Sequence, residues 1–190
     1  MASYLLVTDR MYMKLAHPRL AAEVARFNER NKAILREVEP MRPSIYYTKS
    51  GMKLYLKQDY RDAMKGNEFR YYLTLKGEKK IIGTVCIGSI HFGSVKSCVL
   101  SYKMDKDYRN MGLCSEAVEE IIRFAFEILR LHRIEAQVMP RNAKSLAIMR
   151  KFNFEKEGLL KKCLEINGQW EDHYVFSLLN DKISAMQHYD

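Results

Sequence analysis

From Lys103 to Leu129 the chain reads KMDKDYRNMGLCSEAVEEIIRFAFEIL: the end of a strand pattern, a short loop with Arg109 and Gly112, then a long amphipathic run. A loop that opens directly into a helix leaves its first backbone N–H groups unpaired, aimed at whatever lies over the helix start. Those donors and the positive end of the helix dipole suit a phosphate or pyrophosphate. Arg-x-x-Gly before a helix is equally well a structural turn, so the motif alone does not decide. Three further positions have polar side chains where chemistry would need them. Asn142 and Ser145 open a short helix, and Glu39 sits in a Glu-Pro loop.

The elements that would position these residues follow from spacing. Met11–Leu15 reads as a strand, and Leu20, Val24 and Phe27 share a helical face. A second helical piece runs from Ile34 to Val38 and stops at Glu39-Pro40, and Ser50–Met64 reads as a further helix. Phe69–Leu75 and Lys80–Ile90 are strand patterns flanking Gly77-Glu78, and Gly93-Ser94 leads into a third strand, Ser97–Met104. After the loop, Val118, Ile121, Ile122, Ala125, Ile128 and Leu129 form one apolar helical face. Arg133–Val138 is a strand by alternation, so strand, crossover helix and strand make a parallel βαβ unit. Asn142 caps a helix through Lys151, and Asn153 is placed to stop it. Gly158–Ile166 and His173–Leu179 flank Asn167-Gly168, a two-residue hairpin signal. The expected fold is α+β: a mixed sheet with helices on its faces and one parallel pair in the middle. Residues 1–190 are expected to form one domain, with a loose tail from about 181.

The totals set limits. At 190 residues with 47% hydrophobic and 29% charged residues, the chain can bury a sizeable core. Its formal charge of +9 suits an anionic partner or a solvated basic face. Lys103, Lys106 and Arg109 fall beside the proposed anion loop and Arg141 and Lys144 beside Asn142, and there is no nucleic-acid motif. Cys86, Cys98, Cys114 and Cys163 show neither a CxxC pair nor metal-ligand spacing, so no metal is expected and a reducing compartment is. The N-terminus lacks a signal-peptide pattern, and no apolar run reaches the roughly 20 residues a membrane span needs. A cytoplasmic protein, monomer or homodimer, is expected.

Behind the βαβ unit, several short motifs follow in a fixed order. They are Arg109-Asn-Met-Gly112, Leu131-His132-Arg133-Ile134, Met139-Pro140, Asn142 with Ser145, Phe154-Glu155-Lys156-Glu157-Gly158, and Asn167-Gly168-Gln169-Trp170 with Asp172-His173. With them the chain, over roughly residues 7–180, resembles the GNAT superfamily of acetyl-CoA-dependent N-acetyltransferases. It is most similar to the RimJ/RimL branch, which acetylates N-terminal amines of ribosomal proteins. The resemblance implies a twisted, mostly antiparallel sheet with one central parallel pair and helices on both faces. It also implies that backbone N–H groups of Asn110, Met111, Gly112, Leu113 and Cys114 hold the pyrophosphate of acetyl-CoA, with Arg109 shaping the loop. The arm would lie between the strands around Tyr102 and Ala136, and a backbone N–H among Leu100, Ser101 and Tyr102 would stabilise the developing oxyanion. Asn142 would bond the arm, Ser145 would reach the departing thiolate, and Glu39 would serve as ligand or base for the substrate amine. Acetyl transfer would be direct, in a ternary complex, to the N-terminal Ser or Ala of a ribosomal protein.

The sequence departs from that pattern at two places. The strand Ser97–Tyr102 has no carboxylate where many relatives carry the general base, and Met149 stands where many carry a tyrosine acid. A small-amine acceptor, such as a polyamine, amino sugar or antibiotic, and a non-catalytic coenzyme A-binding module are the alternatives. Cys114 near a helix start would have a lowered pKa if it carried an acyl group, and otherwise fills space. His132 and His173 read as structural or substrate-lining, Asp172 as facing the acceptor, and Trp170 as core or loop packing.

Overall fold

Alternating side chains set the sheet. Tyr71 and Tyr72 are neighbours in one strand, yet each is buried in a different hydrophobic cluster, so both faces of that strand are covered. The computed structural model describes residues 5–180. Its strands are β1 (Leu5–Val7), β2 (Met11–Leu15), β3 (Phe69–Leu75), β4 (Ile81–His91), β5 (Ser97–Met104), β6 (Arg133–Val138), β7 (Glu155–Ile166) and β8 (Gln169–Leu179). They form one sheet in the order β1-β2-β3-β4-β5-β6-β8-β7. Among the described residues only β5 and β6 pair in parallel. The helices are α1 (Ala21–Leu35), α2 (Lys49–Met64), α3 (Leu113–Arg123) and α4 (Ala143–Lys151). The larger cluster joins Val118 and Ile121 of α3 and Met149 of α4 to Tyr71, Val85, Ile87, Cys98 and Leu100. The second sets Val24 and Phe27 of α1 and Met52 and Leu56 of α2 against Tyr72 and Ile81. The expected α+β architecture and central βαβ unit are therefore present.

Several boundaries differ, each for a local reason. The piece from Ile34 to Val38 is not a second helix: α1 runs to Leu35, and the next residues close turns on its end. Strand β1, three residues paired only with β2, is too short to show a pattern and was not expected. Strands β7 and β8 start earlier than their apolar patterns, because the hairpin pairs Glu155 with Ser177 and Ile166 with Gln169. At its tip Asn167 and Gly168 both take positive φ, 49° and 81°, as the tight turn requires. After Arg123, α3 widens into a π turn over Phe124–Ile128. The extra residue in that turn rotates Ile128 off the apolar face, leaving it 53% exposed. Trp170 packs in no core; it lies on β8 with 62% of its surface exposed. The tail from 181 lies outside the described residues. Among the described residues no helix is long and apolar enough to cross a membrane.

Candidate functional site

The parallel pair is short. Ser97, Cys98 and Val99 of β5 pair with Arg133, Ile134 and Glu135 of β6, and pairing stops there. Both strands continue, β5 held by β4 as far as Met104 and β6 by β8 as far as Val138. From Leu100 and Ala136 onward a gap opens, with the backbone polar groups that face it left without a strand partner. A cavity of about 1000 Å³ passes along this gap.

On the α3 side, the loop before the helix lines the cavity with Arg109, Asn110 and Gly112. Asn110 and Gly112 take φ of 62° and 76°; such left-handed turns among ordinary ones tip successive N–H groups into a concave nest. Glu116 is the first residue to close a helical bond, to Gly112 at 3.1 Å. Leu113, Cys114 and Ser115 thus start the helix with N–H groups that have no acceptor within it. Arg10, in the β1–β2 turn, braces the loop from outside. Its Nη1 donates to the Met111 carbonyl at 2.9 Å, and its Nε and backbone N–H donate to the Glu116 carboxylate at 2.6 and 2.9 Å.

The chain enters this loop under a second restraint. Asp105, fully buried, accepts Arg30 Nε at 2.7 Å and the Asp107 N–H at 3.1 Å, while Asn31 Oδ1 accepts the Lys106 N–H at 2.9 Å. Burial pushes the Asp105 carboxyl up, but these donors outweigh it and hold the group below its usual range. Helix α1 therefore fixes the end of β5.

At α4, Asn142 Oδ1 accepts the Ser145 N–H at 3.2 Å, a helix cap that uses its carbonyl and leaves its amide donors for another partner. Tyr102 reaches across the gap and donates its hydroxyl to the Ser145 carbonyl at 3.4 Å. Burial raises the Tyr102 pKa, so the hydroxyl keeps its proton and remains a donor.

On the opposite face, Tyr72, Thr84 and Lys103 stand in one row across β3, β4 and β5. Lys103 Nζ donates to Glu39 Oε2 at 2.6 Å, and the Tyr46 ring lies 5.9 Å from the same ammonium. Glu39 lines the cavity, and its Oε1 is buried without a hydrogen-bond partner. Asp59 of α2 also lines the cavity; burial pushes its carboxyl up to about 6, although Arg70 Nε is 3.3 Å away. The cavity thus runs from an anion nest, through a backbone-lined slot, to a carboxylate oxygen without a donor.

The protein-family model described as "Acetyltransferase (GNAT) domain" matches residues 10–155. The chain belongs to the GNAT acetyltransferase family. Among its relatives, an Escherichia coli K12 [ribosomal protein uS5]-alanine N-acetyltransferase is 34% identical over 91% of this chain and 89% of that protein. The crystal structure of a ribosomal-protein-S5-alanine acetyltransferase from Vibrio fischeri superposes with a TM-score of 0.90. It is 33% identical, covering 94% of this chain and 98% of that one. Mycobacterium smegmatis RimJ, solved in complex with CoA-disulfide, shares the fold with a TM-score of 0.88 at 24% identity, over 95% of this chain and 89% of that one.

In this GNAT chain, the cavity wall brings together Glu39, Leu100, Ser101, Tyr102, Arg109, Asn110, Gly112, Leu113, Cys114, Asn142 and Ser145. Met111 stands apart from that wall: its side chain is exposed, and its carbonyl is occupied by Arg10. Leu113 is buried in the core, so only its backbone is offered. Burial pushes the Cys114 thiol up to about 12, opposite to the direction a helix start favours, which fits a space-filling side chain. Asp172 is not at the cavity: it accepts the Lys162 N–H at 2.7 Å on the β7–β8 hairpin. His173 is buried there with its Nδ1 3.4 Å from Cys163 Sγ. No group of three or more metal-ligating side chains occurs among the described residues. Arg10, Asp59 and Thr84 were missed, because no local pattern marks them.

Proposed function

We propose that the chain transfers an acetyl group from acetyl-CoA to the N-terminal α-amine of a protein, with a ribosomal protein beginning in Ala or Ser as the substrate class. One observation carries the reading: a single cavity joins the α3 nest, through the β5/β6 gap, to the unpartnered Glu39 Oε1. The names of the relatives support it, since one acts on the alanine of ribosomal protein uS5 and another was solved with CoA-disulfide. The cytoplasm, where ribosomal proteins are made, is the matching location.

The residues fit the coenzyme. The free N–H groups of the first α3 turn, with the left-handed Asn110 and Gly112, are donors for a pyrophosphate. When bound, acetyl-CoA supplies a thioester carbonyl already activated toward amines. A gap-facing N–H of the Leu100–Tyr102 stretch would stabilise negative charge on an acyl oxygen. Asn142 has amide donors left for the arm, and Ser145 a hydroxyl for sulfur. Glu39, held in place by Lys103, serves as the amine's ligand or base. An α-amine suits such a site, because its pKa of about 7.7–8.0 leaves part of it neutral at cellular pH, whereas a lysine at about 10.4 is protonated.

The test is thiol release from acetyl-CoA in the presence of peptides beginning in Ala or Ser, polyamines or aminoglycosides. Release with the peptides alone is the expected result; release only with small amines would overturn the N-terminal assignment. Coenzyme binding without acceptor-dependent release would leave a binding module. Glu39→Gln, which loses a charge-assisted bond to the amine, is expected to lower kcat/KM for the peptide about 10- to 30-fold with the Kd for acetyl-CoA unchanged. Arg10→Ala should do the reverse. Releasing the Met111 carbonyl is expected to raise the Kd for acetyl-CoA about fivefold, with kcat at saturation retained.

A further inference from the structure

The amine end of the cavity holds a second buried oxygen without a partner, the hydroxyl of Thr84. Thr84 is 4% exposed, lines the same cavity as Glu39, and sits opposite Lys103 in the β4–β5 register. Lys103 in turn holds Glu39. Thr84 and Glu39, each with an unsatisfied oxygen, are therefore both neighbours of one lysine, Thr84 by strand register and Glu39 by its ion pair, and both line the cavity. A buried acceptor left unpaired is costly, and native interiors rarely keep one unless something outside the chain completes it.

We infer that Thr84 is a substrate-positioning residue: its hydroxyl and Glu39 Oε1 take the two N–H donors of the attacking amine. The inference rests on the amine-acetyltransferase reading and identifies which amines the site accepts. A neutral primary amine has two N–H groups and one lone pair, in roughly tetrahedral directions. With both N–H groups held by oxygens on this wall, the lone pair and the bond to Cα share the two directions away from it, and the productive pose turns the lone pair toward the β5/β6 gap. A secondary amine has one N–H and a substituent where the other was, so it fills only one of the two oxygens and presses an alkyl group against the other. The site is built for primary amines.

The experiment uses the full chain, thiol release, and a peptide beginning with Ala alongside the same peptide beginning with N-methylalanine. Wild type should favour the primary amine by about tenfold or more, the worth of one unmade hydrogen bond plus the misplaced methyl. Thr84→Val, near-isosteric and without the hydroxyl, should lower kcat/KM for the Ala peptide about tenfold. Its rate on the N-methyl peptide should change little, so the preference collapses. Thr84→Ser keeps the hydroxyl and should keep the preference, and calorimetry should show the same acetyl-CoA affinity in all three proteins. Wild-type kcat/KM in Thr84→Val would overturn the inference. So would equal losses on both peptides, a shared loss of acetyl-CoA affinity, or no wild-type preference. If peptides are not substrates but a small amine is, the N-terminal reading fails, and Thr84 is judged by the same comparison on that amine and its N-methyl derivative.

Discussion

Replacing Gly112 with valine should raise the Kd for acetyl-CoA about a hundredfold while shifting the unfolding temperature by only a few degrees. Gly112 holds φ of 76°, and a β-branched residue there costs about 1–3 kcal/mol in strain. Even a bare Cβ would lie 3.3 Å from Arg10 Nη2. The loop is exposed at Asn110, Met111 and Gly112, so it can relieve the strain by moving instead of unfolding the domain. Moving turns the nest's N–H groups away from an anion and loosens the Arg10–Met111 bond. Two charge-assisted hydrogen bonds lost, at about 1.5 kcal/mol each, make roughly 3 kcal/mol, or about a hundredfold. Titration calorimetry with coenzyme A measures the binding and thermal unfolding the stability. An unchanged Kd would mean the nest does not bind the coenzyme.

Replacing Arg30 with methionine should cost about 3–5 kcal/mol of stability at neutral pH, because it leaves the buried Asp105 carboxylate without its cation. The packing lost with the arginine is small by comparison. The pH dependence gives the signature. Asp105 is held below its unfolded range in the native protein, so its contribution is fully present above about pH 4 and is lost as pH falls through the lower folded value. In Arg30→Met that contribution is gone, so the gap between the two urea-unfolding curves should narrow as pH drops below about 4. Adding Asp105→Asn to Arg30→Met should restore part of the loss by removing the unpaired charge. A gap of equal size at every pH would assign the effect to packing.

Several features were legible because their causes are local. Asn167-Gly168 makes its hairpin turn through the φ preferences of two residues. Val118 and Ile121 mark a buried helical face through spacing alone, and Asn142 caps α4 through a bond three residues away. The ordered motifs after Leu100 pointed to the acetyltransferase family, and the family match agrees. Other features were settled by contacts between distant segments. Arg10 braces a loop 101 positions away, and Lys103 meets Glu39 across 64. Cys114 stands where a helix start would lower its pKa, yet burial raises it. Ile128 kept the apolar spacing but lost its place to a π turn. The sequence by itself determined most of the strands, helices and turns and the loop that opens α3, because spacing and backbone preference act within a few residues. Only the tertiary structure decided the far end of the cavity, where the unpaired oxygens of Glu39 and Thr84 and the raised carboxyl of Asp59 come from burial, and burial depends on which remote segments pack together.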